Sequence, residues 1–296
     1  MSTDKEEAQH LIIIRHGDRW DYENPQAWKD HTSNRKGDPP LSALGLHQAR
    51  ETGNFLESYL QELDIQATDI TWMSSPFLRC LQTSTEALNA MTTLQADYQI
   101  PILPEDGIFE WDGKGGAWHK DLPPKEERIH YFPRLLETTS TYQPLHVPTL
   151  PEPRSAFEGR CRATLDALHK RHTYKPKTAL ILVSHAACCA SFAYLASNQT
   201  LQDITPAAPC SLYHLQRFEN TPIWALDAHD APSSKNGFSD HLAAIGSNTV
   251  PWNHFGDKSK HLGYTGPPTS RFAPASLQQE LKAAAAAATT DSKEEL

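Results

Sequence analysis

The chain has 296 residues, with 27 Lys and Arg against 36 Asp and Glu, a formal charge of −9 at neutral pH. That length permits one large domain or two small ones. The acidic balance gives no general attraction to nucleic acid or an anionic membrane, so an anionic ligand would have to be met by a local cluster of cations. No apolar stretch reaches the length of a membrane span, and residues 1–10 lack the apolar core of a secretory signal, which predicts a soluble intracellular protein, cytoplasmic with the nucleus as the alternative.

The first predicted element is the run Leu11-Ile12-Ile13-Ile14, a strand buried on both faces. Arg15-His16-Gly17-Asp18-Arg19 follows at its carboxyl end, where open α/β sheets place ligand sites. Residues 20–40 are polar and turn-rich, with the aromatics Trp20, Tyr22 and Trp28. Ser42 then caps a helix whose Leu46, Ala49, Gly53, Leu56, Leu60 and Leu63 recur at spacings of three and four. Ile70-Thr71-Trp72-Met73 reads as the second strand, and Ser75 with Pro76 as the cap and first position of a helix carrying Arg79 in its first turn.

Residues 107–153, rich in Gly, Pro, Trp and charge, read as a long insertion over the site. Ser155-Ala156-Phe157-Glu158 forms a capping box for a helix with Phe157, Cys161, Leu165 and Leu168 on one face. Its cations, Arg160, Arg162, Lys170 and Arg171, with Lys175 and Lys177 beyond, read as a solvated face and not as a nucleic-acid stripe. A strand over 178–183 ends in Ser184-His185 and feeds a helix over 186–197, repeating the arrangement at His16. Two β-like runs, 211–218 and 222–226, complete the sheet, and residues 274–296 read as a frayed helix or tail.

Alternating strands and helices predict an α/β sheet, one edge of which gathers Arg15, His16, Arg19, Arg79 and His185 from three segments. Guanidinium groups keep their proton at neutral pH and fork onto phosphate oxygens, so three of them make a clamp for a tetrahedral oxyanion. An imidazole among such charges is held neutral and keeps a lone pair for attack on phosphorus, a role that falls to His16. The five cysteines, Cys80, Cys161, Cys188, Cys189 and Cys210, form no CxxC pair and none precedes an arginine at CxxxxxR spacing, which leaves buried free thiols. Fifteen histidines show no HxH or HExxH pattern, so neither metal nor cofactor is expected.

These residues resemble the histidine phosphatase superfamily, also called phosphoglycerate-mutase-like. The resemblance rests on Arg15-His16-Gly17, on Pro40-Leu41-Ser42-Ala43-Leu44-Gly45 with Gln48-Ala49, on Ser74-Ser75-Pro76 through Arg79 and Gln82-Thr83, and on Ser184-His185, in the family's order. It implies a three-layer αβα sandwich with a mostly parallel central sheet, as a single domain over residues 1–273. It also implies a phosphohistidine on His16, phosphate bound by Arg15 and Arg79, and a pocket completed by His185. Within branch 1 the chain is most similar to the suppressor-of-T-cell-receptor-signalling and steroid-phosphate phosphatase group, through Asp18-Arg19, Leu78-Arg79-Cys80-Leu81-Gln82-Thr83 and Glu105-Asp106-Gly107-Ile108-Phe109-Glu110-Trp111.

That second likeness implies Arg19 as a third phosphate ligand and Glu110 as proton donor, with Glu105, Asp106 and Asp112 as neighbouring competitors. Asp18-Arg19-Trp20-Asp21 replaces the Glu-Ser and Trp-Asn of the metabolic mutases, which disfavours a phosphomutase. His229-Asp230 superficially resembles the late His-Asp pair of the acid-phosphatase branch, but it follows an edge strand. The expected activity is hydrolysis of a phosphate monoester: aryl, phosphotyrosine, steroid or small metabolite. Trp20, Tyr22, Trp28, Trp111 and Trp118 serve either as a wall for the leaving group or as ordinary loop anchors. The alternative is an interaction subunit with weak or no catalysis, resembling the histidine-phosphatase-like subunit of transcription factor IIIC; a homo-oligomer is compatible with either.

Overall fold

The computed structural model describes residues 7–252 apart from 33–34, 36, 113–120, 137–141, 146–148, 150, 222, 227–233, 236–237, 240, 243–244 and 248–251. Strand β1 (Gln9–Arg15) is buried along its whole length, as four consecutive aliphatics require. It pairs in parallel with β4 (Thr178–Ser184), which pairs in parallel with β2 (Ile70–Ser74), which in turn takes β3 (Ile102–Pro104) at the edge. On its other side β1 meets β5 (Leu212–Arg217) antiparallel. The short pairs β6 (Ala225–Leu226), β7 (Ser234–Lys235) and β8 (Phe238–Ser239) extend the sheet antiparallel, giving the order β3-β2-β4-β1-β5-β8-β7 with β6 on β5.

Alternation along β1 divides the core in two. Ile12 and Ile14 face one cluster with Leu56 and Leu60 of α3 (Ala43–Glu62) and Leu81 and Leu88 of α4 (Leu78–Ala90). Leu11 and Ile13 face the other, with Phe157, Cys161 and Leu165 of α6 (Arg154–Arg171) and Cys188, Cys189 and Phe192 of α7 (Ala186–Ala196). Helices therefore cover both sides of the sheet, which is the expected three-layer sandwich. All five cysteines are free and buried, four of them in these two clusters and Cys210 in a smaller one with Leu41, Ala49 and Leu242.

Local expectations met mixed outcomes. Ser42 caps α3, its Oγ accepting the Gly45 N–H at 3.0 Å. Helix α4 does not begin at Pro76 under a Ser75 cap: it starts at Leu78 with Phe77 at the cap position, and its first N–H goes to both oxygens of Asp38 at 3.0 and 3.1 Å. The Ser155 capping box is likewise absent, because α6 already begins at Arg154 after Pro153. Within the segment read as irregular lie α1 (Trp20–Glu23) and α2 (Pro25–Asp30), and the insertion contributes α5 (Lys125–Tyr131) and a bridge from Leu135 to Ile102 of β3. Trp118, His229, Asp230 and the tail at 274–296 lie outside the described residues.

The Pro-Leu-Ser-Ala-Leu-Gly segment is a brace for the turn after β1. Asp18 N donates to Gln48 Oε1 at 2.9 Å, Ser42 N to Asp18 O at 3.0 Å, and Leu41 N to Gln82 Oε1 at 2.8 Å. Backbones approach so closely here that a Cβ on Gly45 would fall 2.2 Å from Asp18 O, and one on Gly17 would fall 2.7 Å from Gly45 O. Both glycines are thus required by contact with backbone that cannot rotate away. Gly45→Ala should lower unfolding free energy by ~3 kcal/mol, the upper end of ordinary overpacking; urea denaturation giving less than a third of that would show the brace to be compliant.

Candidate active site

Three adjacent parallel strands end side by side, and their exits carry the polar groups singled out above. Arg15 pairs in register with Ser184, and Ser74 with Val183. The ladder runs on past the strand ends, with His16 N donating to Ser184 O and Ser75 N to Val183 O, both at 2.9 Å. His16, Ser75 and His185 are thereby held in one row at the carboxyl edge. Arg79 reaches the same row from the second position of α4.

His16 is buried, and its Nδ1–H donates to the Gly17 carbonyl at 2.7 Å. This fixes the tautomer and leaves the Nε2 lone pair as the ring's reactive atom. Burial, followed by Arg79, His185 and Arg15, holds its pKa well below the ordinary value, so the ring is neutral at physiological pH. His185 meets His16 edge-on, with ring centroids 5.3 Å apart. Burial lowers His185 to about 4 despite the opposing pull of Glu110. His185 Nδ1 lies between Arg79 Nη2 at 3.1 Å and Glu110 Oε2 at 3.3 Å, and its Nε2 is hydrogen-bonded with Ser75 Oγ at 2.9 Å.

The cations differ in how far they are committed. Arg79 is fully buried; Nη1 donates to Asp38 at 3.3 Å, Nη2 reaches Glu110 Oε2 at 3.4 Å, and the Phe77 ring lies 4.5 Å beneath its Cζ. Phe77 also packs edge-on against His185, which makes it a common floor for both groups. Arg15 Nη1 donates to Ala207 O at 2.9 Å. Its Nε, like the Nε of Arg79, has no hydrogen bond among the described residues. Arg19 stands apart at the rim: it is forked onto Asp21 at 2.8 and 3.0 Å and stacked over Tyr22, although it still feels the charge of Glu110.

Of the acids in the loop after β3, Glu110 alone joins this cluster. Its Oε2 lies 3.3 Å from His185 Nδ1. Burial alone would raise its carboxyl, but His185, Arg79 and Arg19 outweigh that and hold it at about 2. Glu105 accepts instead from Gly107 N in its own loop and from Leu145 N and Tyr142 Oη of the insertion. Asp106 sits in a 3₁₀ turn (Asp106–Ile108), and Asp112 is buried with its carbonyl accepting from Glu152 N.

Sequence reasoning misread one support of this loop. Arg160, expected on a solvated face, is 3% exposed; it is forked onto the buried Glu152 at 2.7 and 2.8 Å and donates to the carbonyls of Gly107 and Phe109. A buried arginine so engaged fixes the backbone leading into Glu110. The aromatics divide as well. Trp111 is a loop anchor, its Nε1 bound to Glu152 O and its ring packed on Phe157, whereas Trp20, Trp28 and His31 form a half-buried to exposed aromatic group beside Arg19. Asp38, Ser75 and Phe77 went unassigned to the site because each acts through a partner distant in sequence.

Ligand atoms of His16, Glu110 and His185 lie within 4.8 Å of one another, a spacing that a metal ion could bridge. A cation there would face Arg15 and Arg79, both buried and charged, whereas an oxyanion would satisfy their spare donors. Fold and pocket together define an α/β protein with a cation-lined site at the carboxyl edge of its parallel strands. The model of the histidine phosphatase superfamily (branch 1) matches residues 11–228, and the chain belongs to that family.

Among solved structures, the ecdysone phosphate phosphatase from Bombix mori in complex with tungstate shares the fold with a TM-score of 0.55 at 21% identity, over 77% of this chain and 95% of that one. Ubiquitin-associated and SH3 domain-containing protein A of Mus musculus is 29% identical over 126 residues, 34% of this chain and 19% of that protein. The transcription factor tau 55 kDa subunit of Saccharomyces cerevisiae is 33% identical over 101 residues, 34% of this chain and 20% of that protein. The matched segments thus span about a fifth of these curated relatives. No helix among the described residues is long and apolar enough to cross a membrane.

The buried neutral His185 carries a stability signature. An unfolded histidine takes up its proton near pH 6.5, whereas the folded ring refuses it until about 4, so its contribution is present above 6.5 and is lost as pH falls toward 4. The unfolding free energy of wild type relative to His185→Gln should therefore drop by about 3 kcal/mol between pH 7 and 4. Urea titrations giving a pH-independent difference would contradict a buried neutral ring.

Proposed function

We propose that this protein hydrolyses phosphate monoesters through a phosphohistidine on His16. The observation that carries the reading is the buried His16 ring with Nδ1–H committed to Gly17 O, beside Arg15, Arg79 and His185. Nε2 attacks phosphorus, the bond to the ester oxygen breaks, and the leaving oxygen takes its proton from Glu110. Water then attacks the phosphohistidine, returning its proton to Glu110 and releasing phosphate with His16 regenerated. Arg15 and Arg79 hold the equatorial oxygens where charge accumulates. Arg19 joins them when its fork turns from Asp21, and His185 donates to phosphate once the incoming negative charge favours its protonated form.

The ordinary state of Glu110 shapes the pH dependence. At about 2 it enters the cycle as a carboxylate, so its catalytic proton arrives with the substrate. The kcat/KM should then fall tenfold per pH unit above the substrate's second pKa, near 6 for an alkyl phosphate. Glu110→Gln should erase that limb, and should slow poor leaving groups far more than p-nitrophenolate. Uniform slowing across leaving groups would instead assign Glu110 a positioning role.

His16→Ala should abolish p-nitrophenyl phosphate turnover, and acid quenching during turnover should trap an acid-labile phosphoryl group on wild type only. A chelator should leave turnover unchanged, since the proposed steps use only protein groups. Equal background rates for wild type and His16→Ala would sink the enzymatic reading in favour of an interaction subunit. The half-buried aromatics beside Arg19 favour an ester with an apolar or aromatic leaving group; a panel of aryl, steroid and sugar phosphates ranked by kcat/KM tests that preference. We place the protein in the cytoplasm on its sequence composition.

A further inference from the structure

We propose that Asp38 is a positioning residue for Arg79: it caps α4 and holds Nη1 of the guanidinium, so that only Nη2 reaches Glu110 and the group stays turned toward the transferred phosphoryl. The inference rests on the phosphatase reading above and deepens it. Asp38 is 3% exposed and lies forty residues upstream of the helix it caps. Both of its oxygens accept the Leu78 N–H, and one also accepts Arg79 Nη1 at 3.3 Å. Without that anchor, the remaining carboxylate beside the guanidinium is Glu110, the proposed proton donor. The 3.4 Å contact between Arg79 and Glu110 would then tighten, which lowers the ability of that acid to take up a proton.

The loop that carries Asp38 is itself fixed from the insertion. Arg35 is forked onto Glu127 of α5 at 2.6 Å through both nitrogens, and Gly37 N donates to Asp121 at 2.5 Å. Besides Glu110, the insertion thereby supports the site through Asp38. A cap residue that is also an ion-pair partner ties helix and side chain together, since either alone leaves the guanidinium free to rotate.

Neutralising Asp38 has opposite effects on ground and transition states, which gives the role its signature. Removing a negative charge from the pocket favours binding of an anion, whereas releasing Arg79 costs the alignment needed when phosphorus is transferred. Asp38→Asn, which keeps an acceptor for Leu78 N–H, should therefore lower kcat tenfold or more without weakening inorganic phosphate binding. A merely structural defect would weaken both. The pH profile separates them further. Arg79, Arg19, Arg35 and the Leu78 N–H all face Asp38 and favour its ionised form, but burial still pushes it up to about 6. A protonated aspartate and an asparagine are nearly isosteric, so the ratio of wild-type to variant kcat should shrink toward one as pH falls from 8 to 5.

The deciding experiment is a double-mutant cycle of Asp38→Asn with Arg79→Ala, read by p-nitrophenyl phosphate turnover and by calorimetric titration with inorganic phosphate. Asp38→Asn should cost tenfold or more in kcat when Arg79 is present and less than twofold when it is absent. An equal cost in both backgrounds, a kcat within threefold of wild type, or a ratio constant with pH would overturn the proposal. Should wild type itself turn nothing over, the catalytic reading fails separately. The cycle is then read from phosphate affinity, where a loss on Asp38→Asn as large without Arg79 as with it would overturn the pairing. If Asp38→Asn does not fold, Asp38→Glu is carried through the same cycle.

Discussion

Everything at the site depends on β4 lying between β1 and β2 in parallel. Parallel neighbours end at the same edge, so the residues that follow them emerge together, and the observed register sets Arg15 opposite Ser184 and Ser74 opposite Val183. Backbone bonds extend that register one step beyond the strands, through His16 N to Ser184 O and Ser75 N to Val183 O. A one-residue slip would turn the alternating side chains of β1 to the wrong cores, so the two hydrophobic layers that stabilise the sheet also enforce alignment of the site.

A second constraint is electrostatic. Gathering arginines around imidazoles in a buried place is costly unless the charges find partners. The partners are unequal: Arg79 has Asp38 and Glu110, Arg15 has a carbonyl, and Arg19 has Asp21. This partial compensation leaves Nε of both Arg15 and Arg79 without a hydrogen bond among the described residues. Burial is what chiefly keeps His16 and His185 neutral, reinforced at His16 by Arg79, His185 and Arg15 and opposed at His185 by Glu110. The same imbalance that would weaken an ordinary core suits a pocket for an oxyanion.

Support for the site comes from residues that carry no chemistry of their own. The Gly17–Gly45 contact, Gln48 and Gln82 hold the turn after β1; Arg160 and Glu152 hold the backbone before Glu110; Phe77 lies beneath both Arg79 and His185. Several belong to the motifs that carried the family resemblance. Those motifs therefore record the geometry of the candidate site as much as its chemistry.

The sequence by itself determined what depends on near neighbours. Four aliphatics ahead of Arg15 specify a strand buried on both faces, Ser42 specifies a helix start, and the run before Ser184-His185 specifies a second such strand. It also singled out Arg15, His16 and His185 after apolar runs and Arg79 at a helix start, whereas Glu110 entered only through the family resemblance. Tertiary structure alone decided the cap of α4, where Asp38 displaced Ser75, and the burial of Arg160, where Glu152 made a charge tolerable inside. It likewise decided β3 and the two-residue strands β7 and β8, which are too short to show a period and exist through the strands they pair with. In each case the stabilising partner is distant in the chain, so no local pattern could announce it.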